Sequence, residues 1–352
     1  MRGGTWLICA WTSFAAPGCA ADLSDPTTAP NGNSIRGAVS PIALGPVWAT
    51  DTRTYYRQRM NHISNLGQHL LVAFVLLLCC TGIASAHAIA GQRLFPSTLT
   101  FDDPGIGAEL PIVFNHIHAD GADQNDFDIS VTKPITPNFS LIAGTDYLDA
   151  PGDNGPGTYG WGNFTIGGAW QVYVIPETES IASLSFTDSI GNSGSRSVRD
   201  DFSTYSPEFD FGQGFGMLHT AWLRPFAVSG AVSFDFPTDP TQPRVLNWGL
   251  SLQYSIPYLQ NFVKYVGIGA PFNNMIPIIE LPMQTCLDRG CYDQTTGYVA
   301  PGVIWVGHYV QWGVELEVPV NHRTGNSVGV LFGFDFYLDD IAPHSFGAPL
   351  FG

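Results

Sequence analysis

Segment after segment of this chain alternates between apolar and polar residues for about ten positions and then turns. Between 245 and 256, Leu246, Trp248, Leu250, Leu252, Tyr254 and Ile256 share one parity, and Asn247, Gly249, Ser251, Gln253 and Ser255 share the other. Successive strand residues point to opposite sides of a sheet, so a period of two gives one greasy face and one polar face. The stretch 309–320 repeats the pattern, with Val310, Trp312, Val314 and Leu316 opposed to Gln311, Gly313, Glu315 and Glu317. So does 327–339, where Val330, Phe332, Phe334 and Phe336 oppose Gly329, Gly333 and Asp335.

Twelve such segments are expected, near 108–118, 127–134, 138–148, 163–175, 180–188, 202–211, 225–236, 245–256, 274–285, 297–306, 309–320 and 327–339. The first, ninth and tenth alternate poorly. A soluble β-sandwich also alternates, and three features favour a membrane barrel over it. The apolar faces are bulky and aromatic on nearly every strand. The opposite faces carry Gly, Ser, Thr, Asn and Gln rather than a solvating coat of charge, and only two Lys, Lys133 and Lys264, follow residue 86. Connections also alternate between long polar loops and short turns, as in outer-membrane barrels. The fold class expected is therefore all-β: a transmembrane antiparallel β-barrel of about 12 strands. Two longer connections, 212–224 and 257–273, have helical apolar spacing at Met217, Leu218 and Trp222 and at Leu259, Phe262, Val263 and Val266. They predict two short periplasmic helical segments.

Composition narrows the alternatives. With 39 Gly and 26 Pro, a coiled coil or helical bundle is excluded. A pI near 4.6 and a formal charge of −16 repel phosphate backbones, which excludes a nucleic-acid partner. An apolar content of 45% is too high for a disordered chain.

The most apolar run, Leu70 to Cys80, is too short to span a bilayer as a helix, which takes about 20 residues. Arg57 and Arg59 precede it, and Ala84-Ser85-Ala86 follows. This reads as a secretory signal over 60–86 with cleavage after Ala86. Residues 1–59, lacking periodic pattern and lying ahead of that signal, read as a mis-called or non-native extension. The barrel then occupies 87–352, with nine Lys and Arg against 27 Asp and Glu. Cys286 and Cys291 are the two cysteines left in it, and a close pair in an exported chain is most simply a loop disulfide.

On the polar faces, Gln253, Glu280, Glu315, Glu317 and Asp335 are expected to line the lumen. Acidic lumen groups favour cations or neutral polar solutes over anions. His116, His118 and Asp120 could hold a metal if they shared one strand face, but they read more simply as polar residues of the rim or lumen, and no metal site is assigned. Asp120, Asp123, Asn125, Asp126 and Asp128 form an acidic stretch without EF-hand spacing. No histidine stands in a recognisable catalytic spacing, so no catalytic residue and no cofactor is assigned.

Three stretches carry a family resemblance: FDFGQGFGMLHTAWLRPFAVSGAVSFDFP, VLNWGLSLQYSIPYLQ, and TTGYVAPGVIWVGHYVQWGVELEVPVNHRTGNSVGV. The LFPSTLTFDDPGIGAEL opening and the DFYLDDIAP and FGAPLF ending extend it over essentially all of 87–352. The chain resembles a widespread family of bacterial envelope proteins described as transporters, similar to the phenol-degradation MetA-pathway barrel family. The resemblance implies an outer-membrane β-barrel of a Gram-negative cell, acting as a passive channel or transporter for small molecules, aromatic or hydrophobic ones among them. Ser327, Gly329, Phe332 and Phe334 resemble the terminal-strand signal read by the barrel-assembly machinery, although the chain continues to Gly352. The expected partners are thus the lipid bilayer and, during biogenesis, that machinery. Two other functions stay open: a surface barrel that transports nothing and binds Ca²⁺ or a partner through acidic loops, and an outer-membrane hydrolase.

Overall fold

The computed structural model describes residues 88–352 apart from 120–121, 151–156, 292 and 352. The expected extension and signal segment, 1–86, lie outside the described residues. Twelve strands follow one another: β1 Glu109–Ala119, β2 Ala122–Thr136, β3 Phe139–Ala150, β4 Thr165–Ile175, β5 Ser180–Ser189, β6 Thr204–Gly214, β7 Phe226–Pro237, β8 Val245–Tyr254, β9 Met275–Cys286, β10 Thr295–Val306, β11 Val310–Pro319 and β12 Gly329–Tyr337. Each pairs antiparallel with its neighbours in sequence, and a short piece at Thr158–Trp161 extends the β3–β4 edge. β12 pairs with β1 through Phe332↔Phe114 and its flanking positions, which closes the barrel and leaves no free edge.

The apolar parity faces outward. Leu250, Leu252, Leu316, Val318, Phe332 and Phe334 are exposed on the outer wall, while Gly249, Ser251, Gln253, Glu315, Glu317 and Asp335 on the same strands are buried inside. A strand of 11 residues is roughly 36 Å long at ~3.3 Å per residue. Tilted at ~40°, it covers the apolar band of about 25 Å that an outer membrane presents. Among the described residues no helix is long and apolar enough to cross a membrane; the crossing elements are strands.

Strand bounds depart from expectation mainly at β2. The acidic stretch expected as a loop is strand from Ala122 on, paired with β1 through His118↔Asp123 and His116↔Asn125. A strand end that projects past the membrane needs no apolar face, so alternation cannot mark it. The first expected helix is also corrected. Gly212–Gly214 belong to β6, held by Gln213↔Val228, and only Ala221–Leu223 form a 3₁₀ turn. The second begins as expected. Ser255 Oγ accepts from Tyr258 N–H at 3.1 Å and caps a helical stretch, Ile256–Tyr258 continued by Leu259–Val263. It ends at Lys264, before Gly267 and Gly269.

Both ends of the described stretch lie at one rim, here the base. Leu338 N–H donates to Ala108 O at 2.7 Å, and the tail beyond β12 runs back along the foot of β2, where Phe351 N–H donates to Ile135 O at 2.8 Å. Lys133 Nζ meets the carbonyls of Phe346 and Ala348 there.

Candidate functional site: a lumen filled from within

The segment 88–108, which carries no regular alternation, enters the barrel from the base. Phe95 sits against Ile181 of β5 and fills the space where a Cβ on Gly212 of β6 would stand, 2.8 Å away. Leu99 lies over Gly313 of β11 and Gly333 of β12; a Cβ on Gly333 would come within 2.6 Å of its Cδ2. Phe101 packs on Ala231 of β7. These are inward-facing positions on strands around the barrel, so the segment occupies the lumen. Glycine and alanine on the wall make the room for it.

Polar contacts fix the same segment. Thr100 Oγ1 donates to Glu280 Oε2 at 2.6 Å. Gln311 Nε2 donates to Ser97 O at 2.7 Å and is itself set by Tyr337 Oη, which donates to Gln311 Oε1 at 2.8 Å. At the base, Arg93 is the segment's one basic residue. Its Nε donates to Glu179 Oε2 at 3.3 Å, its Nη1 to Pro225 O at 2.9 Å and its Nη2 to Arg224 O. Its guanidinium carbon lies 3.8 Å from the centroid of the Tyr258 ring. Tyr258 Oη donates to Glu179 Oε1 at 2.7 Å, and Gly216 N–H donates to Glu179 Oε2 at 3.0 Å. One arginine thereby ties the segment to three base connections.

All five side chains expected to line the lumen are inside the barrel and buried, Glu280 at 0% and Asp335 at 3% exposure. Glu280 on β9 takes the Thr100 bond. Glu315 on β11 crosses over Gly302 of β10, where a Cβ would stand 2.3 Å from its Cγ, toward Glu280. Glu317 crosses Gly329 of β12 in the same way, with its Oε2 2.7 Å from the position of a Cβ there. Gln253 and Asp335 line β8 and β12. Further lumen acids escaped the sequence reading: Asp126 and Asp128 on β2, Asp146 on β3, Glu208 and Asp210 on β6. Their parity carried the signal, but strand-end placement and the acidic run at 120–128 masked it. None of the described lumen-facing strand positions is Lys or Arg, and Arg93 is confined to the base.

His116 and His118 point outward at the mouth. His116 Nδ1 meets Asn125 Oδ1 at 2.8 Å and His118 Nδ1 meets Asp123 Oδ1 at 2.5 Å. The acidic stretch is thus split between the two faces of β2. Asp120 lies outside the described residues, and among the described residues no three His, Cys, Asp or Glu side chains gather as a metal site. Cys286 and Cys291 stand in disulfide geometry at the start of the β9–β10 loop, with Cα atoms 5.9 Å apart.

The described residues thus form a closed 12-stranded antiparallel barrel of the outer-membrane type. No protein-family model matches the chain, and no curated protein matches it. Solved structures similar to it include two porins and a channel. The KdgM porin is 10% identical over 64% of this chain and 98% of that one, with a TM-score of 0.38. For the NanC porin the values are 7%, 64%, 98% and 0.43. For an outer-membrane channel from Pseudomonas putida F1 they are 12%, 66%, 96% and 0.44.

Proposed function

We propose that the chain is an outer-membrane channel, closed at rest by its own 88–108 segment, that passes small polar solutes and favours cations. The observation that carries this reading is the lumen's charge: carboxylates on β2, β3, β6, β9, β11 and β12, with no lysine or arginine among the described lumen-facing strand positions to balance them. In a narrow, low-dielectric passage such groups attract cations and repel anions. The wall's small polar residues suit a wet solute better than the aromatic or hydrophobic one that the family resemblance implies.

The route to the membrane follows from the same reading. Cleavage after Ala86 frees an N-terminus at His87, one residue ahead of Ala88, which is buried at the base, so the released end needs little chain to enter the lumen. Residues 1–59 are then no part of the mature protein. Ser327, Gly329, Phe332 and Phe334 present the last strand to the assembly machinery.

The test is a planar bilayer with a KCl gradient. Cation preference sets the reversal potential toward that of K⁺, and Glu315→Gln with Asp335→Asn moves it toward zero. The filled lumen favours one other reading, a barrel that conducts nothing. Correct insertion without current, even when the Arg93 tie is removed, would establish it.

A further inference from the structure

Where β12 closes on β1, acidic and amide side chains of four strands form a continuous arc toward the mouth. Glu317 of β11 passes over Gly329 of β12 toward β1, whose Asn115 faces the same side. Asn115 stands directly opposite Asp126 of β2, and Asp128, two residues on along the same face, stands opposite Asp146 of β3. Asp146 lies against Gly162, where a Cβ would be 2.2 Å from its Oδ1.

The arc consists almost wholly of acceptors. Asn115 Oδ1, Asp126 Oδ1 and both Asp128 oxygens are buried without a hydrogen-bond partner. Asn115 and Asp128 are 7% and 5% exposed. Buried acceptors left unpaired cost on the order of 1–3 kcal/mol each, more when charged, and like charges directly opposed across strands repel. The missing counterpart is a donor that carries positive charge. These side chains do not converge on one point as an inner-sphere metal site requires. A primary ammonium offers three donors and one charge without demanding convergence. The spacing suggests two such groups: residues two apart on a strand are separated by roughly 6.6 Å, and a four-carbon diamine sets its nitrogens about 6 Å apart.

We propose that this arc is a recognition site for small organic diammonium solutes, in which Asp126, Asp128 and Asp146 bind the charged ends and Asn115 and Glu317 hold the wall in place. This rests on the lumen being a solute path, and its position on the mouth side of Leu99 and Thr100 puts it ahead of the closure for a solute arriving from the mouth.

Calorimetric titration of the purified barrel in detergent with 1,4-diaminobutane tests it, with 1,4-butanediol and CaCl₂ as parallel probes. The diamine is expected to bind and the diol not, and Asp128→Asn or Asp146→Asn should weaken the diamine at least tenfold. Should Asp128→Asn fail to fold, as read by heat-modifiable gel mobility, Asp146→Asn at its less buried position carries the same expectation. Absence of diamine binding, equal binding by a folded variant, or displacement of diamine by equimolar Ca²⁺ would each overturn the proposal. A barrel that binds the diamine yet never conducts would retain the site and remove the channel.

Discussion

Arg93 and Glu179 meet at 3.3 Å across 86 positions of chain, and both side chains are nearly inaccessible to water. The pair joins the lumen segment to the β4–β5 turn, and Tyr258 and Gly216 complete the carboxylate's shell. A buried pair with its remaining groups satisfied is costly to break from one side, about 3–5 kcal/mol, because the surviving charge is stranded. Arg93→Ala should therefore loosen the segment while leaving the strand ladder intact. The expected outcome is a rise in single-channel open probability, with heat-modifiable mobility preserved. Unchanged closure would show that the lumen contacts above suffice.

The glycines opposite Leu99 make a second, stricter test. A Cβ at Gly333 collides with Leu99 Cδ2, so Gly333→Ala should destabilise the segment's seat by about 1–3 kcal/mol, the usual cost of overpacking. Leu99→Ala in the same chain removes the colliding atoms and should recover part of that loss. Non-additivity in thermal unfolding of the single and double variants is the expected signature.

The outer wall should reject charge. Leu250 and Val314 face outward near strand centres, and arginine at either should cost roughly 2–4 kcal/mol in lipid vesicles if the site lies near the midplane. Arginine at the inward-facing Ser251, between Leu250 and Leu252, meets carboxylates instead of lipid. It should cost less membrane stability and shift selectivity toward anions. Equal tolerance on both parities would refute the barrel.

At the mouth, Arg244 and Asp288 tie two loops together. Arg244 N–H donates to Asp288 Oδ1 at 2.9 Å and its Nε to Oδ2 at 2.6 Å. The backbone N–H first, then the guanidinium, hold the Asp288 carboxyl below its ordinary value of 3.8. A depressed carboxylate contributes above its unfolded value and loses that contribution as pH falls through the folded one. The loop tie should thus persist at pH 5 and be lost only below the ordinary value, as read by ¹³C NMR of the Asp288 carboxyl. The adjacent Cys286–Cys291 ring is small, so reducing it should lower stability by about 2 kcal/mol at most. Free-thiol labelling without reductant should find neither cysteine.

Period-two alternation is a local property, readable wherever one face must be apolar and the other is free to be small and polar. It therefore located the strands and assigned Trp248, Trp312 and Phe334 to one side and Gln253, Glu315 and Asp335 to the other. It weakened at β9 and β10, whose inner faces also carry buried apolar groups, Ile276, Ile278, Tyr298 and Ile304, so that both parities look alike.

What fills the lumen was decided by contacts with no local trace. Leu99 meets Gly333 across more than two hundred residues, and the sequence around Leu99 has no period to announce it. Likewise, Glu317 comes to cross Gly329 toward β1 only because β12 closes on β1, which brings the two ends of the chain's strand order together. Alternation determined which side each residue faces. Closure and the returning segment decided what each inward residue touches, because those distances are set by the barrel's circumference and not by spacing along the chain.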